Sequence, residues 1–184
     1  IDNKSMLTEV NDVGEEVGEG KTGELLGMVQ MLSGRSNVTV ISGSLPRGVP
    51  AEYYESLFRA VDPKSLKIVD AEGDRLFSAL KAGVDLAKPN LDELQNTLGR
   101  EIRDKQDLLS GCRELIDRGA KTVLLSLGKD GAIITDGSHH YYCKSINVAV
   151  NSTVGAGDGM IAAAAMMMEQ GAPLSEVLRA DRKS

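Results

Sequence analysis

The chain has 184 residues, of which 41% are hydrophobic, 26% charged and only 3% aromatic, with no Trp. That length holds one domain, or one domain with a small appendage, and the composition suffices to bury an aliphatic core. A net charge of −6 argues against a general nucleic-acid or membrane-surface role, and neither a run of about 18 apolar residues nor a signal-peptide pattern occurs. Cys112 and Cys143 are too few and too dispersed for a disulfide framework or a zinc site, so reduced thiols and a cytoplasmic location are expected.

Residues 1–19 are polar and Gly-bearing, with Leu7 and Val10 as the main apolar points, and a frayed terminus is the plain expectation. Residues 21–33 place Leu25, Leu26, Val29 and Leu32 at helical spacing ahead of Gly34, which predicts an amphipathic helix packed on a sheet. The β-branched run 37–42 predicts a buried strand that empties into Gly43-Ser-Leu-Pro-Arg-Gly48. Ligands of open α/β sheets bind at the C-terminal ends of strands. The Gly43 backbone and the Ser44 hydroxyl are therefore candidate substrate contacts, although Gly and Pro mark ordinary loops equally well. Helix 51–61, strand 66–70, helix 75–82 and strand 84–87 then alternate. That pitch predicts βαβ units, a parallel sheet and helices on both faces.

Lys88-Pro-Asn-Leu-Asp-Glu93 follows. Pro89 forces a turn before a helix starts at Leu91, so Asn90 and Glu93 sit three apart at that start. They have the spacing of a capping box and also the chemistry of a hard oxygen-ligand pair. Lys88 is placed to neutralise phosphate charge. Helix 105–118 buries Leu108, Leu109, Cys112, Leu115 and Ile116 and stops at Gly119. Strand 122–127, the turn Gly128-Lys-Asp-Gly131 and strand 132–135 read as a hairpin, and residues 139–143 as an edge strand. His139 and His140 are adjacent, hence on opposite faces, which disfavours joint metal ligation. Helices over 160–170 and 174–179 complete the pattern.

The chemistry concentrates in Asn151-Ser-Thr-Val-Gly-Ala-Gly-Asp158 and the Ala/Met-rich run behind it. Small residues at 155–157 let backbone approach a bound group, while a new helix aims unpaired N–H groups and its positive end at the same point. Such a site binds phosphate. An acid beside it is out of place unless it takes a proton from the group attacking that phosphate. The bland alternative is that Gly155 and Gly157 turn the chain and Asp158 caps the helix. The spacing is neither the dinucleotide fingerprint nor a Walker A loop, which also disfavours an NAD-type oxidoreductase.

Thr153-Val-Gly-Ala-Gly-Asp158 resembles the C-terminal signature of the ribokinase-like carbohydrate kinases, the PfkB family. Ser42-Gly-Ser-Leu-Pro-Arg-Gly48, Lys88-Pro-Asn-Leu-Asp-Glu93 and Ser126-Leu-Gly-Lys-Asp-Gly131 agree with that family in its order, and Thr8-Glu-Val-Asn11 adds a weaker match. The branch it most resembles is 1-phosphofructokinase and tagatose-6-phosphate kinase.

The resemblance implies a ribokinase-like three-layer α/β/α fold with a mainly parallel sheet. It is incomplete, with the β-lid mostly absent: residues 1–19 would return from the lid, and 20–184 would be the nucleotide-binding core. The first residue is Ile1 and the resemblance begins in mid-pattern, so the chain reads as a fragment. Relatives continue past the last residues with helix that covers the adenine.

The function implied is ATP-dependent transfer of the γ-phosphate to a hydroxyl of a ketohexose phosphate, fructose 1-phosphate or tagatose 6-phosphate. Asp158 would be the base. Gly155, Ala156 and Gly157 would hold the phosphoryl oxygens, and Asn90 and Glu93 would place Mg²⁺, partly through water. Ser126, Gly128, Gly131, Lys88 and Thr153 would approach the nucleotide, and Gly43, Ser44 and Asn11 the sugar phosphate. A homodimer is implied for a full-length parent, since family dimers often pair through the lid. The alternative is a nucleotide-binding fragment without turnover of its own.

Overall fold

A computed structural model describes residues 16–145 and 155–180. Asn11 and Thr153 lie outside the described residues, as does most of the 1–19 segment.

Helix α1 (Glu19–Ser33) leads into strand β1 (Val38–Ser42), and α2 (Tyr53–Ala60) into β2 (Leu66–Asp70). Then come α3 (Gly73–Lys81), β3 (Val84–Ala87), α4 (Leu91–Leu98), α5 (Lys105–Asp117) and β4 (Ala120–Ser126). A 3₁₀ turn at Gly128–Asp130 joins β4 to β5 (Ala132–Thr135), followed by β6 (His140–Cys143), α6 (Ala156–Glu169) and α7 (Leu174–Ala180). The six strands form one sheet in sequence order. β1 to β4 pair in parallel, while β4–β5 and β5–β6 are antiparallel. The sheet is thus parallel through the β1–β4 half and ends as a meander.

Successive strand residues alternate between two apolar layers, as the pleat requires. Val69, Ala87, Val123, Leu125 and Ile133 face Tyr54, Phe58, Leu76, Leu80, Leu94 and Leu115 of α2 to α5. Ile68, Leu86, Leu124 and Ile134 face Ile161, Ala164, Val177 and Leu178 of α6 and α7. Two helical layers around a sheet is the three-layer arrangement expected. Cys112 sits in the first layer, where burial pushes its thiol up to about 12 and leaves it inert.

Three expectations need correction. Helix α1 forms, but it does not bury the predicted stripe on the sheet. It runs beside α2, where Tyr53 Oη donates to the Thr22 carbonyl, and Leu25, Met28, Met31 and Leu32 stay 43% to 54% exposed. The reason is topological: among the described residues β1 is an edge strand, with β2 as its one neighbour in the sheet. Strand β1 is correspondingly not a buried strand, with Val40 42% exposed. The last long helix begins at Ala156, not Met160, so Gly157, Asp158 and Gly159 belong to its first turns. Glycine lowers helix propensity by about 1 kcal/mol per residue, which hides this start from a composition-based reading. Among the described residues no helix is long and apolar enough to cross a membrane.

Candidate active site at the C-terminal edge of the sheet

The parallel strands β1 to β4 all point their C-terminal ends to one edge, and backbone bonds stitch the loops there together. Gly43 N donates to Asp70 O at 3.2 Å, Lys88 N to Val69 O at 3.0 Å, and Ser126 N to Pro89 O at 3.1 Å. Asn90 and Ser126 form a parallel bridge beyond the regular strands. Gly43 (φ 95°) is further held by Tyr54 Oη, which donates to its carbonyl at 2.7 Å; burial pushes that phenol up. Gly43, Lys88, Asn90 and Ser126, drawn from three segments distant in sequence, therefore share one ledge. Ser44 follows Gly43 and is exposed.

Two of the helix starts at this ledge, those of α4 and α6, differ. At α4 the capping box is complete: Glu93 N donates to Asn90 Oδ1 at 2.8 Å, and Asn90 N donates to Glu93 Oε2 at 2.8 Å. Among the described residues Glu93 Oε1 and Asn90 Nδ2 have no hydrogen-bond partner, so each side chain keeps one polar atom to offer.

At α6 the N-cap is Gly155 at φ 84°, in the left-handed region, and as a glycine it brings no capping side chain of its own. Asp158 occupies the third helical position, is exposed, and does not serve as the cap. The capping explanation for this residue is thereby removed. A Cβ placed on Gly155 or Gly159 would meet nothing within 4 Å, so the ground above the turn is open. A Cβ on Gly157 would come within 3.5 Å of one atom, Lys88 Nζ. The ammonium of Lys88, on a residue 5% exposed, thus lies against the glycine turn. Its ion-pair partner is Asp70, with Nζ 3.1 Å from Oδ1.

The structure therefore brings Lys88 to Gly157 and sets Asp158 one residue along the same turn. Gly128 and Gly131 lie farther out in the β4–β5 hairpin. Gly131 has a structural duty that sequence reading did not supply: at φ 105°, any Cβ would fall 2.0 Å from the Cys143 carbonyl oxygen, so only Gly fits. Asp70 is the site residue that sequence reading missed. Its signal was a carboxylate closing the apolar strand Leu66-Lys-Ile-Val-Asp70 at the ligand edge. A hollow of about 420 Å³ lined by Ala51, Glu72, Gly73, Asp74, Arg75 and Asn96 contains neither Lys88 nor Asp158.

The chain as a whole matches known proteins. The pfkB family carbohydrate kinase profile covers residues 3–180. The chain belongs to the pfkB family of carbohydrate kinases. It is 37% identical to the ATP-dependent 6-phosphofructokinase isozyme 2 of Escherichia coli K12, over 77% of this chain and 47% of that protein. With the D-tagatose-1-phosphate kinase of Bacillus licheniformis it shares 33% identity over 96% of this chain and 59% of the relative. The crystal structure of Escherichia coli phosphofructokinase-2 in complex with potassium superposes with a TM-score of 0.81 at 35% identity, covering 89% of this chain and 53% of that one. This pfkB-family chain thus spans about half the length of the relatives it matches, and its fold is the ribokinase-like α/β fold.

Proposed function

We propose that this chain carries the phosphoryl-transfer centre of an ATP-dependent kinase that phosphorylates a hydroxyl of a ketohexose phosphate. The observation that carries the reading is the α6 start. Its N-cap is a glycine that brings no capping side chain, a Cβ on Gly155 would meet nothing within 4 Å, and the Lys88 ammonium lies 3.5 Å from where a Gly157 Cβ would stand. Helix N-terminus and ammonium together favour a multiply charged anion. The substrate hydroxyl oxygen attacks the γ-phosphorus, its proton passes to the Asp158 carboxylate, and the bond from the γ-phosphorus to the bridging oxygen breaks to release ADP. Little covalent chemistry falls to the protein, so positioning and charge complementarity supply most of the acceleration.

The donor set suits a hard cation as well. Glu93 Oε1 is unengaged among the described residues, and Asn90 sits beside it on the same ledge, so Asn90 and Glu93 are the residues to place Mg²⁺, in part through water. Bound there, the ion would neutralise phosphate charge. Ser126, Gly128 and Gly131 border the nucleotide side, and Gly43 and Ser44 the sugar-phosphate side, with Asn11 and Thr153 assigned to the same two sides by resemblance. The names of the relatives, a 6-phosphofructokinase, a tagatose-1-phosphate kinase and a 1-phosphofructokinase, support a phosphorylated ketohexose; fructose 1-phosphate and tagatose 6-phosphate are the specific candidates by resemblance.

The test is ADP release with fructose 1-phosphate, fructose 6-phosphate, tagatose 1-phosphate and tagatose 6-phosphate, for wild type and Asp158→Asn. Loss of a general base costs about 10²–10⁴-fold, so turnover should fall by that factor while ATP binding persists. Near-normal turnover of the variant would end the assignment of Asp158. A second reading, a nucleotide-binding part that does not turn over alone, is favoured by the chain spanning about half of its relatives. It predicts ATP binding without ADP release here, and release from a full-length parent.

A further inference from the structure

We propose that Asp70 is a positioning residue, which acts through Lys88 to aim a positive charge at the α6 start. The inference rests on the phosphate-binding reading above. Lys88 leaves the sheet edge just beyond β3, tied by its backbone N–H to Val69 O, one residue before Asp70. Its side chain is almost wholly buried, and a buried ammonium without a partner is costly. Asp70 Oδ1, at 3.1 Å, is its ion-pair partner among the described residues. Asp70 itself is fixed, since it closes β2 and its carbonyl accepts from Gly43 N. An ammonium has three donors. One oxygen of Asp70 engages it from the β2 side, and a Cβ placed on Gly157 would lie 3.5 Å from the same nitrogen. A strand-end carboxylate thus holds a lysine beside the glycine start of α6.

A purely electrostatic role for Asp70 predicts the opposite sign. Removing a carboxylate near an anion site should tighten anion binding, because like charge repels. Removing a carboxylate that aims the ammonium should weaken it, because Lys88 is then free to turn away. The two accounts separate in one experiment.

Tripolyphosphate and ATP would be titrated calorimetrically into the wild-type chain and into Asp70→Asn, Asp70→Glu, Lys88→Ala and the Asp70→Asn/Lys88→Ala pair, each checked for cooperative thermal unfolding. The positioning role predicts that Asp70→Asn weakens tripolyphosphate binding by about tenfold, within the range of coupling between contacting residues. Asp70→Glu recovers part of the loss, and Asp70→Asn adds nothing once Lys88 is Ala. Binding that is unchanged or tighter in Asp70→Asn, or weakened equally in the Lys88→Ala background, overturns the positioning role and leaves the kinase reading standing. A wild-type chain that binds neither tripolyphosphate nor ATP overturns both. Acetic anhydride labelling read by mass spectrometry supplies a ligand-free check. Lys88 should label slowly in wild type and Asp70→Glu, and at least about tenfold faster in Asp70→Asn; equal rates overturn the proposal.

Discussion

Two helices start at the same edge of the same sheet, and they treat their first N–H groups in opposite ways. At α4, Asn90 and Glu93 satisfy each other's backbone, and the start is closed by the chain's own side chains. At α6, a left-handed Gly155 turns the chain in without a capping side chain of its own, and a lysine ammonium lies 3.5 Å from where a Gly157 Cβ would stand. Unsatisfied helix-start donors need a partner. At α4 the sequence supplies one and the start is a structural joint; at α6 it supplies glycine, and the proposed occupant is a phosphate. A third N–H cradle makes the same point from the hairpin end. Asp136 Oδ1 accepts from Ser138 N and His139 N, and those bonds, the His139 one foremost, hold its carboxyl down at about 2.

The comparison breaks first at Asp158→Asn, the change with the largest expected effect: a fall of about 10²–10⁴-fold in ADP release, with stability lowered by no more than about 0.3–1 kcal/mol, the value of an exposed first-turn carboxylate. At α4 the pattern reverses. Asn90→Ala should cost about 1 kcal/mol of stability, the usual value of a lost cap, measurable by urea unfolding. Glu93→Gln sharpens the contrast, because Gln completes a capping box as Glu does. Stability should hold within about 0.5 kcal/mol, the ordinary range for a surface change, while the Mg²⁺ concentration required for turnover rises. A variant with unchanged Mg²⁺ demand would reduce Glu93 to its joint.

Gly157→Ala tests the open start itself. Alanine at a helical glycine stabilises by about 0.5–1 kcal/mol, and the added methyl touches only Lys88 Nζ. The melting temperature should rise while phosphate binding weakens. Gly159→Ala, with nothing near its Cβ, should raise stability and leave binding alone. The smallest effect lies at Asp136. Its folded-state value is below the ordinary 3.8, so its contribution is present above about pH 4 and lost as the pH falls toward 2. Asp136→Asn should flatten the acid limb of the unfolding curve across that window, by a small amount because the group faces water.

Much of the architecture was legible because the strands 66–70, 84–87 and 132–135 are short apolar runs between turn residues, and the structure places them at those residues. The capping box at Asn90 and Glu93 was legible for the same reason: its signal is local. The exposed stripe of α1 was not, because helical spacing reports that a face is apolar but not whether a neighbour covers it. The start of α6 was misplaced by four residues, since glycines inside a first turn look like loop. The pairing of Lys88 with Asp70 escaped because it joins the ends of two strands 18 residues apart, and only the parallel register brings them side by side.

The most direct measurement follows the backbone amides of Ala156, Gly157 and Asp158 by ¹H–¹⁵N NMR as tripolyphosphate and then ATP are added. The account predicts large, saturable shifts at those three amides and small ones at Leu91, Asp92 and Glu93, whose start is already closed. Saturable shifts elsewhere with residues 156–158 unmoved would contradict it.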